Sequence, residues 1–327
     1  MLRYLSWRLA AIPVIVAAVN ALAFIYAHVA LRVQLANNPF GVAGAEEISL
    51  WHLYGAYVIG LGHGNWGAMP TVAQEPIAQL VLQSALRSLG LLLIAFLLST
   101  ILGLWLGVYG ARYLPPRMAR WLPPLAAVGQ ALPSYYIGAL ALALLLSYLI
   151  QAGPAATAPL PVQGFGWDQH LILPVGVLLV RPVAQIAHFT AALTVSELER
   201  LYVTAARSRG LPVRLIRWKH VLGNVWAPLL LTLAASLRLL IGELILVEKL
   251  FGWPGLGNLL ATALVPPQTA ALGSLEGAAS YFLWPELLAA ALTLVALALL
   301  CLDTLTVLLA RRADPRLVRA TTGGTHG

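Results

Sequence analysis

Residues 197–228 read ELERLYVTAARSRGLPVRLIRWKHVLGNVWAP, a basic segment that separates two long apolar stretches. The pattern predicts a short helix, a break at Gly210-Leu211-Pro212 and a second helix, because glycine is typical of helix C-termini and proline of first turns. Ala205 and Ala206 predict a low, smooth surface surrounded by arginines. A short exposed helix of this kind is suited to entering a cleft on another protein. A basic anchor on anionic lipid is the alternative.

The stretches outside this segment are rich in apolar residues and poor in charge. Only 10% of the 327 residues are charged and the mean hydropathy is +0.83, whereas a soluble domain has about 25% charged residues. A membrane-spanning helix needs about 20 mostly apolar residues. The sequence therefore predicts an all-α integral membrane protein. Its six predicted spans cover 9–31, 86–110, 122–150, 170–192, 225–249 and 284–309.

The positions of the basic residues predict the orientation of these spans. Six spans place 15 of the 20 Lys and Arg residues on one side of the membrane, in the N-terminal segment, after the second span, between the fourth and fifth spans, and at the C-terminus. Positive residues favour the cytoplasmic side, which predicts that both termini are cytoplasmic. The net charge of +8 is thereby explained by topology, and nucleic acid is not expected as a partner.

The remaining sequence predicts one domain over residues 1–327 with an external insertion at about 32–83 and a cytoplasmic loop at about 197–222. The apolar run near the N-terminus is longer than the roughly 7–15 residues of a cleavable signal peptide, so a retained first span is expected. Cys301 is expected to be buried, and Trp253 is expected to anchor at the membrane interface. Pro133 and Pro174 predict either bends in their helices or irregular entries to them.

The chain has no motif of a phosphate-binding loop, a zinc metalloprotease or a serine hydrolase. No GxxxxGK[ST], HExxH or GxSxG motif occurs, and the seven histidines and one cysteine are scattered. We therefore expect no catalytic residues, no metal and no cofactor bound by this chain. If the chain takes part in active transport, the energy must then come from a partner.

Charged residues within the predicted spans require a reason, because each costs about 2.5–3.5 kcal/mol on insertion scales. The candidates for such a role are Arg181, Arg238, Glu243 and Asp303. Arg238 is expected to pair with Asp303 or with Glu243 in an interhelical ion pair. In the alternative interpretation, Arg181 or Glu243 contacts a translocated solute. Gly103 and Gly107 predict close helix packing.

Several segments, in order along the chain, resemble those of ABC importer permeases of the dipeptide, oligopeptide and nickel branch. The loop with Tyr202, Gly210-Leu211 and Pro228 resembles the EAA loop of this family, and 248–257 (EKLFGWPGLG) resembles the stretch that follows its fifth span. Further similar segments are Leu2-Arg3-Tyr4, Pro39-Phe40-Gly41, Leu132-Pro133-Ser134, His170 to Pro174, and Asp314-Pro315-Arg316. Thr204 stands in place of the eponymous glutamate, and His188 and Ala191 in place of two arginines.

The resemblance implies a type I ABC importer permease fold in the plasma (inner) membrane of a prokaryote. It implies a second permease subunit, two ABC ATPase subunits that use ATP and Mg, an extracytoplasmic solute-binding protein, and membrane lipid as partners. The solute would be a peptide or a related small molecule. The residues that would couple to the ATPases are Tyr202, Thr204, Ala205, Ala206, Arg207, Gly210 and Leu211. A secondary transporter or channel, or a non-transporting membrane scaffold, is the alternative.

Overall fold

The computed structural model describes residues 2–36, 49–69, 74–153, 157–265 and 282–313. Within these ranges the chain is helical except for its connecting loops and one short two-stranded ribbon, β1 (Ala111–Arg112) paired antiparallel with β2 (Arg117–Met118). The helices are α1 (Leu2–Ala36), α2 (Leu50–Gly62), α3 (Ile77–Gly110), α4 (Leu122–Ala131), α5 (Ser134–Ala152), α6 (Ile172–Leu198), α7 (Leu201–Ser208), α8 (Val213–Leu215), α9 (Leu222–Asn224), α10 (Trp226–Phe251), α11 (Leu256–Leu264) and α12 (Pro285–Ala313). A 3₁₀ turn, Gln169–Leu171, precedes α6, and a π-helix, Ile216–Val221, joins α8 to α9.

Six helical segments of the described chain are long and apolar enough to cross a membrane, which confirms the predicted all-α fold. They are Ala10–Gln34, Ile77–Gly110, Ser134–Ala152, Gln169–Leu198, Trp226–Phe251 and Pro285–Leu309. The second segment begins at Ile77 rather than at 86. Gln79 and Gln83 interrupt the apolar run in the sequence before residue 86. The helix nevertheless extends through them, because the neighbouring Ile77 and Val81 are buried on its other face.

The third predicted span is not one continuous helix. Helix α4 ends at Ala131, Leu132 is extended, and α5 begins at Ser134 directly after Pro133. Proline has no backbone N–H and disfavours helical geometry in the residue before it. The continuous span 122–150 was therefore wrong in detail. Of the two alternatives for Pro133, the structure has the irregular entry, at the start of α5.

The described residues fall into two compact units, of which the first comprises residues up to Leu89 together with Gly252–Cys301. Its helices meet at Asn20, a buried polar residue in α1. The Asn20 amide donates to Tyr57 Oη (3.3 Å) and to Thr293 Oγ1 (3.1 Å), and the Tyr57 ring stacks on Phe24 at 5.1 Å. One polar side chain thereby joins α1, α2 and α12.

Helix α2 is the described part of the predicted external insertion. It packs against residues near the middle of α1 through Tyr54 and Tyr57. Residues 37–48 and 70–73, and with them the Pro39-Phe40-Gly41 segment, lie outside the described residues, as does Asp314-Pro315-Arg316. The insertion as a whole remains a prediction.

Two single-residue expectations are wrong. Trp253 is buried in the first unit rather than interfacial, and its indole N–H donates to the Arg87 carbonyl at 3.4 Å. The adjacent turn is fixed by Ser88, whose hydroxyl accepts from Leu256 N at 2.7 Å, and this turn draws the indole inward. Cys301 is exposed rather than buried, because no described part of this chain covers its face of α12.

The second unit, Gly90–Phe251 with the residues from Leu302 onward, is organised around α6. Helix α3 approaches α6 closely at two glycines. A Cβ on Gly103 would lie 2.6 Å from Ile186 Cβ, and one on Gly107 would lie 2.5 Å from Thr190 Cβ. This confirms that the two glycines serve helix packing within the chain.

Replacement of Gly107 by valine is predicted to destabilise the second unit. The new side chain would overlap Thr190 and the Ala187 carbonyl, which a Gly107 Cβ would meet at 2.8 Å, and overpacking typically costs about 1–3 kcal/mol. Thermal unfolding of the purified protein in detergent should show a lower Tm for Gly107→Val. Gly176→Val is the matched control, because a Cβ on Gly176 in α6 meets nothing within 4 Å. Equal Tm values for the two variants would contradict this account.

Candidate coupling helix and intramembrane charge site

Helix α7 is separated from α6 by a short extended link. Arg200 has φ −73° and ψ 145°, so the chain turns away from the α6 axis before α7 begins. On one face of α7, Val203 and Ala206 are buried. They form a small apolar core with Leu198, Ile216 and Val221. Helix α7 therefore has one face packed against the rest of the basic segment and one face that is exposed.

The end of α7 has the hydrogen bonds of a Schellman motif. Gly210 N donates to the Arg207 carbonyl at 2.9 Å, and Leu211 N donates to the Ala206 carbonyl at 3.3 Å. Gly210 has φ +75°, which is the left-handed conformation that this motif requires and glycine adopts without strain. The predicted helix, break and second helix are confirmed, and Pro212 lies at the N-cap of α8.

The outward face of α7 carries small and apolar side chains. Its members follow helical spacing and are exposed: Leu201, Thr204, Ala205 and Ser208. Leu201, the first residue of α7, is 86% exposed. Ala206, expected to share a smooth surface with Ala205, instead faces the apolar core. Among these two alanines, only Ala205 is available to a partner.

Tyr202 ties α7 to the elements on either side. Its hydroxyl donates to Glu197 Oε2 at the end of α6 at 2.8 Å. Burial and then the Glu197 bond raise the pKa of Tyr202 to about 12, although a bond with Asn224 acts in the opposite direction. The phenol therefore stays protonated near neutral pH and remains a donor.

Two arginines of the basic segment lie against the ribbon that follows α3. The guanidinium groups of Arg207 and Arg217 lie 5.3 Å and 5.9 Å from the centre of the Tyr113 ring. Arg217 Nη2 also donates to the Ala111 carbonyl at 2.9 Å, and burial lowers the pKa of Arg217. These cation–π contacts and this hydrogen bond hold the α7 region against the β-ribbon.

The four candidate charges within the spans form two separate ion pairs in the second unit. Arg238 Nε lies 2.6 Å from Asp303 Oδ1, and Arg181 Nη1 lies 2.5 Å from Glu243 Oε1. Of the two partners considered for Arg238, the structure has Asp303. The pairing of Arg181 with Glu243 was not anticipated from the sequence.

Four helices meet at the Arg181–Glu243 pair. Ser134 Oγ at the start of α5 donates to Glu243 Oε2, and Arg181 Nε donates to the Gln130 carbonyl near the end of α4 at 3.1 Å. Sequence reasoning missed Ser134 and Gln130, although the Pro133 break that presents them was visible. Arg181 lies on α6 and Glu243 on α10, so the pair joins both halves of the broken third span to its neighbours.

Among the described residues no group of three His, Cys, Asp or Glu side chains is arranged to hold a metal ion. The geometry instead consists of a packed helix with a small exposed face and of charge pairs inside the membrane.

Residues 99–319 match the family described as the binding-protein-dependent transport system inner membrane component. The chain belongs to this family. The match covers more than half of the chain and includes α7, the Pro133 break and the four candidate charges within the spans.

Individual relatives agree with the family. The glutathione transport system permease protein GsiC of Escherichia coli (strain K12) is 26% identical over 279 residues, covering 81% of this chain and 87% of the relative. GsiC of Shigella flexneri serotype 5b (strain 8401) has the same identity and coverage. GsiC of Salmonella typhimurium (strain LT2) is 26% identical over 232 residues, covering 71% of this chain and 72% of the relative.

The protein is therefore a permease subunit of an ABC importer and a multi-pass protein of the inner membrane. The secondary transporter, the channel and the membrane scaffold are not favoured. The exposed face of α7 lies within the part of the chain that matches this family.

Replacement of Gly210 by alanine is predicted to loosen the end of α7. A left-handed conformation costs a non-glycine residue about 1–2 kcal/mol, and that should speed local opening by roughly 5–30-fold. Hydrogen–deuterium exchange of the amides in 201–211 measures this effect. Gly223→Ala is the matched control, because Gly223 is helical and has open space around it. Unchanged exchange in Gly210→Ala would show that the motif does not stabilise α7.

Proposed function

We propose that the chain is one of two membrane subunits of an ATP-driven importer of small peptides, and that α7 is the helix through which ATPase subunits act on it. One observation carries this proposal. Helix α7 buries one face, with Val203 and Ala206, and exposes a small-residue face that includes Thr204 and Ala205. A helix of this kind fits a groove on a partner without large side chains to displace.

The connections of α7 support a mechanical role. At its start, α6 leads into it through Arg200, and at its end the 213–225 segment leads into α10. The apolar core formed with Ile216 and Val221 joins both ends. A push or pull on α7 would therefore be passed to the inner ends of α6 and α10, the two helices that carry Arg181 and Glu243.

The partners follow from the same mechanism. Two ATPase subunits would bind ATP and Mg and hydrolyse ATP, since this chain has no phosphate-binding loop. A second permease subunit would complete the pathway, and an extracytoplasmic binding protein would deliver the solute. Residues 197–222 would form the cytoplasmic coupling loop and about 32–83 the external insertion of a single membrane domain, with Tyr202, Arg207 and Leu211 holding α7 in place.

Small peptides are the solute class that the relatives support best. The similar permeases are named for glutathione transport, and glutathione is a small peptide. Glutathione is therefore the first probe for uptake by the complete importer. Arg181 and Arg238 lie within spanning helices and are cationic groups that suit an anionic peptide.

We propose that both termini of the chain are cytoplasmic. This topology predicts that the loop with α7 is accessible from the cytoplasmic side and the loop after α5 from the external side. The chain has one cysteine, so Cys301→Ser gives a background for single-cysteine variants. A membrane-impermeant maleimide should label Ser208→Cys in inside-out vesicles and Ala152→Cys in right-side-out vesicles. Both positions are exposed in the structure. Labelling of Ser208→Cys from the outside would overturn the orientation.

The coupling role predicts that a bulky group at Ala205 uncouples the importer. Ala205→Trp leaves the apolar core of α7 untouched but fills the space that a groove would occupy, so ATPase binding and ATP-dependent uptake should fall at least tenfold, about 1.4 kcal/mol or more. Co-purification of the ATPase and uptake by proteoliposomes are the measurements. Ala152→Trp is the matched control, since Ala152 is an exposed alanine at the end of α5.

Two results would contradict the coupling role. One is normal uptake by Ala205→Trp. The other is ATP-independent uptake by the wild-type chain, because a self-sufficient transporter needs no coupling helix.

A further inference from the structure

Arg181 has a hydrogen-bonding edge that the described residues leave open. Its Nε donates to the Gln130 carbonyl and its Nη1 binds Glu243, and no acceptor in the described part of the chain bonds Nη2. The Arg181 side chain is 33% exposed, whereas Glu243 is only 13% exposed. Two bonds thus fix the guanidinium and leave Nη2 available to a group outside the described residues.

The surroundings of Arg181 are arranged for an anion at the place where the third span is broken. Helix α5 begins there with Ser134, which is buried and donates to Glu243. The N-terminal end of a helix carries a partial positive charge, and transporters commonly place such half-helix ends at a solute site near the membrane centre. Because Glu243 is held by both Ser134 and Arg181, it neutralises the arginine without occupying all of its donors.

A polar stripe continues from Arg181 along α6 toward α7. Gln185 and His188 follow at spacings of about one and two helical turns. Gln185 Oε1 and His188 Nδ1 are buried and lack a hydrogen-bond partner among the described residues. Buried polar atoms are nearly always satisfied in an assembled protein, so these atoms require water, a second subunit or a solute as partner. A structural ion pair alone would not call for such a stripe.

We propose that Arg181 contacts a carboxylate of the translocated peptide, with Glu243 and the Gln130 carbonyl as positioning groups. The proposal rests on the proposed function, because it names the part of the solute that this permease recognises. The guanidinium edge is suited to bind a carboxylate with parallel N–H bonds. The adjacent Glu243 weakens the attraction, which suits a pathway where a solute must leave again.

The test compares variants in the complete importer, reconstituted in proteoliposomes with its ATPases and binding protein, with radiolabelled glutathione as the probe. The exchange Arg181→Glu with Glu243→Arg retains an ion pair but places a carboxylate where the solute is bound. Where the exchanged pair assembles with a Tm near that of wild type, uptake should fall at least tenfold. Wild-type uptake by the exchanged pair would overturn the proposal, because it would show that only the pairing matters.

A second variant decides the question if the exchanged pair does not assemble. Arg181→Lys keeps the positive charge beside Glu243 but loses the planar edge, so uptake should fall about fivefold with assembly intact. Arg87→Lys is the matched control, since Arg87 lies in α3 and Nη1 donates to the Pro254 carbonyl at 3.4 Å. Uptake by Arg181→Lys equal to that of wild type or of Arg87→Lys would overturn the proposal.

Failure of the proposed function gives a different result. If the wild-type importer shows no ATP-dependent uptake of glutathione, the peptide-import proposal and this inference both fall. If the wild-type importer takes up glutathione with ATP, the role of Arg181 is decided by uptake in the exchanged pair and in Arg181→Lys.

Discussion

The contact of Val203 and Ala206 with Ile216 and Val221 is the interaction on which the rest of the account depends. It holds a helix of only eight residues, which is too short to be stable alone. Because this apolar core fixes the inner face of α7, it also determines that Ala205 and Thr204 are presented outward. Without this core, the buried face of α7 would lose its packing.

Inside the membrane, the dominant constraint is the cost of charge. Arg181 pairs with Glu243 and Arg238 pairs with Asp303, so each of these charges has a partner of opposite sign. The two pairs differ in their surroundings. Arg238 and Asp303 are both nearly half exposed, whereas Glu243 is largely enclosed and is also bound by Ser134. The enclosed Arg181–Glu243 pair lies where the helix is interrupted between α4 and α5. The interruption of the helix and the buried ion pair therefore occur at the same place.

Sequence reasoning predicted the features that depend on local chemistry. The six apolar segments, the break after α7 at Gly210 and the packing role of Gly103 and Gly107 follow from composition, turn chemistry and residue size. Features that depend on tertiary contacts were not predictable. The inward position of Ala206, the burial of Trp253 and the partner of Arg181 are set by elements distant in sequence, and neighbouring residues carry no signal for them.

The most direct test of the coupling account is photocrosslinking from position 205 in the intact importer in membrane vesicles. p-Benzoylphenylalanine in place of Ala205 should give an adduct with an ATPase subunit, identified by mass spectrometry, because the proposed coupling role places the outward face of α7 in the groove of that subunit. The same group in place of Ala206 should crosslink within the chain, since that side chain faces the apolar core. An active importer in which position 205 crosslinks only to lipid or to an external protein would contradict the account.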